Sequence, residues 1–247
     1  MRILDRHDIR IAVRTAGTID ASVPVVLVHG MAGDHATWRS FARTLRRAGR
    51  PVVSMDLRGH GRSGRAPRYG LDDFRDDLRF VLDELDLTSV DLVGHSLGAH
   101  TALRAVIAEP DRVRRLVLEE VPPMPRDQSD VDEGITVIAG FGERLRGIGA
   151  LVADPMPLVR FDRSVGAQVG PQFEVPDPDW WEGVRTVNVP TLVISGGRRS
   201  FLPPQHLRSL SQALPDARFT VIDAGHSVHR DKAAEFAAAA HDFLTAT

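Results

Sequence analysis

The chain has 247 residues, 43% apolar and 26% charged, which is the composition of an ordinary globular α/β domain and not of a disordered, collagenous or coiled-coil chain. It contains no cysteine, which excludes disulfides, thiolate metal sites and a cysteine nucleophile together, and Lys232 is its only lysine, which argues against Schiff-base chemistry. With 31 basic against 33 acidic residues the net charge is −2, so no electrostatic footprint for nucleic acid is present. The apolar stretch Val23 to Val28 is six residues long, far below the ~20 of a membrane span. The first ten residues carry Arg2, Asp5, Arg6, Asp8 and Arg10 with no apolar run behind them, unlike a secretory signal. The expected setting is therefore the cytoplasm, and the expected partner a small molecule with an apolar portion; neither a membrane nor an oligomeric state is indicated.

In chain order, Ile9 to Arg14 alternates weakly, and compact β-branched runs follow at Val25–Val28, Val52–Met55, Val90–Val93, Leu116–Leu118, Thr191–Ile194 and Phe219–Ile222. Short continuous apolar runs of this kind are buried on both faces of a sheet. Between them stand helical stripes, Phe74, Leu78, Val81, Leu82 and Leu85 in one, Leu97, Leu103 and Val106 in another that stops at Pro110. Strand alternating with helix implies a mostly parallel sheet with helices on both faces. About 65 residues then separate Glu120 from the next strand, too many for a bare loop. Residues 122–186 hold 8 of the 16 prolines, yet Ile138, Phe141, Leu145 and Ile148 keep helical spacing. We expect a helical cap over 122–186, inserted into a core domain made of 1–121 and 187–247.

Gly94-His95-Ser96-Leu97-Gly98 lies between a predicted strand and a predicted helix. That context suits a nucleophile elbow, a turn so tight that the positions two before and two after the serine must lack bulk. Ser96 is thus the candidate nucleophile, beside the unpaired amides of a helix N-terminus. A serine hydroxyl needs a base, and His226, in the loop after the last predicted strand, is the candidate, with His229 as its rival. After the strand Val25–Val28, the small residues of His29-Gly30-Met31-Ala32-Gly33 let backbone approach a ligand. The amides of Met31 and Leu97 are expected to form an oxyanion hole. His29 is expected to tie loop carbonyls together more than to act as a base. His29, His95, Phe141 and Trp181 are the candidates for lining a substrate pocket, although Phe141, Met156 and Phe161 are equally suited to a cap core.

These residues resemble the α/β-hydrolase superfamily from Val25 to the C-terminus. His29-Gly30 resembles its oxyanion loop, Asp56-Leu57-Arg58-Gly59-His60-Gly61-Arg62-Ser63 its Asp-x-x-Gly-x-Gly-x-Ser turn, and Gly94 to Gly98 its elbow. The resemblance implies an α/β-hydrolase fold with the cap after the sixth strand, and a serine hydrolase that needs no metal and no organic cofactor. An ester or lactone is the expected substrate. Carbon–carbon hydrolysis, a haloperoxidase-type reaction and ligand binding without turnover are the alternatives.

One departure stands out. The family usually places an aspartate after its seventh strand, but Thr191 to Leu214 contains no acidic residue. Alignment with members that carry the acid after the sixth strand puts Glu120 on that position, with Glu119 as the rival and an ion pair of these glutamates with Arg198 or Arg199 as the structural alternative. Asp223 is too close in sequence to His226 to orient its ring. On this assignment Glu120→Gln should lower kcat by several orders of magnitude and Glu119→Gln should change little.

Overall fold

The computed structural model describes residues 1–19, 22–135 and 156–246. Eight strands form one sheet: β1 (Arg2–Arg6), β2 (Ile9–Ala16), β3 (Val25–Val28), β4 (Val52–Met55), β5 (Val90–His95), β6 (Val113–Glu119), β7 (Thr191–Ser195) and β8 (Ala217–Val221), in the order β1-β2-β4-β3-β5-β6-β7-β8. β1 and β2 are antiparallel to each other and β2 is antiparallel to β4; every later pairing is parallel. β1 lies outside the sequence expectation, because a five-residue edge strand with three charged residues lacks the apolar run that marks the central ones.

The central strands show why their runs are uninterrupted. Val26 and Val28 enter one apolar cluster, whereas Val25 and Leu27 enter another on the opposite face, following the period of two along a strand. The first cluster is covered by α2 (Leu71–Glu84) and α3 (Leu97–Ala108); Trp38, Phe41 and Leu45 of α1 (Arg39–Arg47) and its preceding turn, with Phe236, Ala240 and Phe243 of the last helix, fill the second. α2 begins where the Asp73 carboxylate accepts the Gly70 N–H at 2.8 Å, and α3 ends ahead of Pro110 as expected.

Between β6 and β7 come the short helices α4 (Gln128–Glu133), α5 (Met156–Val159), α6 (Ser164–Val169) and α7 (Pro178–Arg185). The stripe Ile138, Phe141, Leu145 and Ile148 lies outside the described residues. Asp177 caps α7 by accepting the Trp180 N–H at 2.9 Å, with Pro178 at the first helical position where no N–H is needed. Val165, Val169, Trp180, Trp181 and Val184 share the apolar cluster of α2 and α3. Polar ties add to this: Tyr69 Oη donates to Asp162 at 2.8 Å, and Gln168 and Gln172 accept the N–H groups of Tyr69 and Leu71, each at 3.0 Å. The chain closes with α8 (Pro204–Ala213), α9 (Val228–Asp231) and α10 (Ala233–Thr245). No helix among the described residues is long and apolar enough to cross a membrane.

Candidate active site

From β3 the chain moves to β4 on one side and then to β5 on the other, so the loops after β3 and β5 diverge at a switch point, the place where open parallel sheets bind ligands. Val28 is registered with Gly94, which sets the His29–Gly33 loop against the turn at Ser96. The packing there is close enough to dictate glycine. A Cβ on Gly98 would lie 2.4 Å from the carbonyl oxygens of Val28 and His29, one on Gly94 would lie 2.5 Å from Gly98 O, and one on Gly30 would lie 3.0 Å from Ser96 Cβ. Ser96 itself has φ 52° and ψ −120°, a conformation that costs an L-residue free energy and that holds Oγ out between strand and helix. Its N–H donates to Glu119 O at 2.9 Å across the end of the sheet.

His226 lies against that hydroxyl. Its Nε2 is 2.9 Å from Ser96 Oγ and its Nδ1 3.0 Å from Glu120 Oε2. Since a carboxylate only accepts, Nδ1 carries the proton and Nε2 is left to accept from the serine. Glu120 is fully buried and has φ 51°. Three donors converge on its carboxylate: His226 Nδ1–H, Gly196 N–H at 2.5 Å, and the Ser200 hydroxyl in a short contact. Ser200 and Gly196 lie in the stretch Thr191 to Leu214, which has no acidic residue, and both donate to the Glu120 carboxylate at the end of β6. Sequence reasoning did not find them, because a hydroxyl and an amide carry no motif. Phe201 covers the His226 ring at 4.1 Å between centroids.

The two glutamates have different partners. Arg199 sits 3.6 Å from Asp223 in an exposed ion pair. Glu119 faces the rival histidine: its Oε2 is 2.7 Å from His229 Nδ1, and its Oε1 accepts the His229 backbone N–H at 2.9 Å. His229 Nε2 in turn lies 2.7 Å from Thr37 Oγ1. Burial raises the Glu119 carboxyl to about 7 and pushes the His229 imidazole down to about 3.

The remaining sequence candidates are structural in their surroundings. His29 is wholly buried; its Nε2 accepts the Leu57 N–H at 3.0 Å and its Nδ1–H donates to Gly30 O at 2.8 Å, so it shapes the loop. His95 is also buried, with its ring held well below the usual imidazole range by desolvation, and Nε2–H donates to the His226 carbonyl at 2.8 Å. Trp181 gives its indole N–H to Met124 O at 2.8 Å under the Arg126 guanidinium, and faces a cavity of about 160 Å³ with Pro123, Gln205 and His206 that does not include Ser96. Phe141 lies outside the described residues. Met31 is partly exposed at the mouth of the loop, and Leu97 opens α3, where first-turn amides lack intrahelical acceptors.

Among the described residues one group has the composition of a metal centre, His95, Glu119 and His229, with one ligand atom of each within 4.8 Å of the others. Both ring nitrogens of His229 and both carboxylate oxygens of Glu119 are already engaged in hydrogen bonds. A 2.7 Å separation of Nδ1 from Oε2 is a hydrogen bond, shorter than the ~3 Å or more between two ligands at ~2.1 Å from one ion.

Comparison with known proteins agrees with this architecture. A family model described as alpha/beta hydrolase fold matches residues 23–137. The chain is 30% identical to the 2-hydroxymuconate semialdehyde hydrolase of Pseudomonas sp. (strain CF600), with 91% of this chain and 87% of that one covered. It is 27% identical to the sn-1-specific diacylglycerol lipase ABHD11 of Mus musculus, over 91% of this chain and 82% of the lipase. The crystal structure of the enol-lactonase from Burkholderia xenovorans LB400 superposes with a TM-score of 0.81 at 23% identity, covering 99% of this chain and all of that one. With the parallel sheet, the glycine-bounded turn after β5 and these relatives in hand, the chain belongs to the alpha/beta hydrolase family.

Proposed function

We propose that the protein is a serine hydrolase that cleaves a small-molecule carboxylic ester or lactone through an acyl-enzyme on Ser96. The observation that carries this reading is the unbroken hydrogen-bonded line from Ser96 Oγ through His226 to Glu120, at 2.9 and 3.0 Å. Ser96 Oγ attacks the carbonyl carbon while its proton passes to His226 Nε2. Glu120 keeps Nδ1 protonated, fixes the ring and stabilises the imidazolium that forms. The amides of Met31 and Leu97 stabilise the oxyanion of the tetrahedral intermediate. On its collapse His226 returns the proton to the leaving oxygen, and water activated by the same nitrogen then releases the acid. Residues 122–186 act as a cap that selects a substrate with an apolar portion.

Among the relatives one is named a hydrolase of 2-hydroxymuconate semialdehyde and another a diacylglycerol lipase. The first of these, the 30% identical one, favours a second reading in which the same three residues hydrolyse a carbon–carbon bond next to a carbonyl. Intact mass after incubation with a fluorophosphonate probe tests the shared premise without a substrate guess. A single adduct on the wild type, absent from Ser96→Ala and His226→Ala, is expected; a folded wild type that stays unlabelled would overturn it. Turnover of an ester and lactone set against a vinylogous 1,5-diketone then separates the two reactions.

A further inference from the structure

Two carboxylate, imidazole and hydroxyl lines start from consecutive residues at the end of β6. Glu120 leads to His226 and Ser96; Glu119 leads to His229 and Thr37, with contacts of 2.7 Å from Oε2 to Nδ1 and 2.7 Å from Nε2 to Oγ1. Their composition is nearly the same, but their surroundings differ. Glu119 and His229 are buried, and the Trp38 indole lies over the His229 ring at 4.2 Å. An imidazole held down near 3 by burial cannot take up a proton at neutral pH, so His229 is unsuited to act as a general base for Thr37.

What the second line does is connect. The backbone oxygen of Glu119 accepts the Ser96 N–H at 2.9 Å, while its carboxylate accepts both the N–H and the Nδ1–H of His229, three residues after His226. Thr37 sits in the turn that follows the His29–Gly33 loop, with its N–H on Asp34 O at 3.1 Å. Glu119, through its backbone oxygen and its carboxylate, and His229, through its ring, thereby link the turn of the nucleophile, the loop of the base and the turn after the loop of the oxyanion amides. The other restraints on the loop of the base come from Gly196 O, which accepts the N–H groups of Ala224 and Gly225 at 3.0 and 2.9 Å, and from His95 on the His226 carbonyl. The rings of His226 and His229 flank His95, each at 4.9 Å.

We propose that Glu119, His229 and Thr37 form a positioning clamp that holds the His226 imidazole in line between Ser96 and Glu120, an inference that rests on His226 being the base. The clamp touches no substrate and moves no proton. It acts by keeping the Nε2 to Oγ distance within hydrogen-bond range, where a displacement of ~1 Å costs on the order of a hundredfold in rate. This departs from the sequence expectation that replacing Glu119 would matter little.

The test compares Glu119→Gln, His229→Gln, Thr37→Val and Thr37→Ser with the wild type. Four readouts are taken: thermal unfolding, the rate of Ser96 phosphonylation by the fluorophosphonate, kcat and KM on p-nitrophenyl butyrate, and the downfield proton resonance of His226 Nδ1–H, assigned by its loss in His226→Ala. The clamp predicts folded Glu119→Gln and Thr37→Val proteins with phosphonylation and kcat reduced about 10- to 100-fold, KM within threefold, and a broadened His226 resonance. Thr37→Ser, which keeps the hydroxyl, should restore the wild-type values. If Glu119→Gln or His229→Gln fails to fold, the Thr37 pair still decides the matter, since its hydroxyl lies at the accessible end of the line. Variants that melt earlier but keep wild-type kcat and a sharp His226 resonance would overturn the clamp and leave a merely structural role. A wild type that does not react with the probe would overturn the hydrolase reading instead, and the resonance in Thr37→Val, which needs no turnover, still tests the clamp.

Discussion

Replacing Glu120 by glutamine exchanges one carboxylate oxygen for an amide nitrogen and leaves the volume of the side chain nearly unchanged. All three groups that face the carboxylate are donors: His226 Nδ1–H, Gly196 N–H and the Ser200 hydroxyl. A glutamine amide keeps one acceptor and presents a donor in place of the other, so one of these N–H or O–H groups meets an N–H in a fully buried setting. A buried donor left unmatched costs about 1 to 3 kcal/mol, which lowers the melting temperature of a chain this size by about 2 to 12 °C. Catalysis should suffer more than stability. The imidazolium loses its counter-charge and the ring loses the acceptor that selects its tautomer, for a fall in kcat of about four orders of magnitude, or about 5 kcal/mol of barrier. The assay is steady-state hydrolysis of p-nitrophenyl butyrate, with circular dichroism to establish folding and a melting curve for each variant. A folded Glu120→Gln protein whose kcat stays within tenfold of the wild type would refute the assignment of the acid to β6.

Other expectations follow from the same geometry. Gly98→Ala brings a methyl group to 2.4 Å from two backbone oxygens and forces α3 off the loop after β3, so phosphonylation by the probe should slow by about a hundredfold in a protein that still folds; unchanged labelling would show that the two loops need no such contact. Ser200→Ala removes one hydrogen bond from Glu120, and kcat should fall about tenfold with KM unchanged, as measured by initial rates. His60, His100 and His229 are each held neutral by burial down to about 3, below their unfolded value of 6.5. The unfolded chain therefore binds more protons between about 3 and 6.5, and each histidine removes up to about 1.4 kcal/mol of stability per pH unit as pH falls through that window. Glu119, raised from 4.5 to about 7, works in the opposite sense between those values and offsets one of the three. Urea denaturation at pH 7, 6 and 5 should show a progressive loss of stability, less steep in a folded His100→Gln variant; a flat profile would contradict the burial argument.

How much was legible in advance depended on whether a constraint was local. The elbow was readable because its demand is steric and falls on residues next to Ser96: Gly94 and Gly98 are small since backbone oxygens stand about 2.5 Å from where a Cβ would be. The central strands were readable because burial on both faces removes polar residues from consecutive positions, as at Val25–Val28. β6 proved longer than its apolar run, starting at Val113, since Arg114 and Arg115 spend their charges on Asp91 and on the carbonyls of the C-terminal residues. Glu120 came within reach only by aligning the strand with a family pattern. The support for it did not, because Gly196 and Ser200 lie 76 and 80 residues away and contribute an amide and a hydroxyl that any loop contains. The line from Glu119 through His229 to Thr37 spans 192 residues between its last two members, and no periodicity reaches that far.

The two histidines after β8 are served by two neighbouring glutamates, and this arrangement makes loop length the constrained quantity. His226 and His229 are three positions apart, and their carboxylates one position apart at the end of β6. Adding or deleting a single residue between the histidines would keep every side chain type yet put at least one imidazole out of reach of its carboxylate. Across relatives that share this pairing, substitutions at Ser227 should be common, an apolar residue should fill the buried place of Val228, and insertions or deletions between the histidines should be absent.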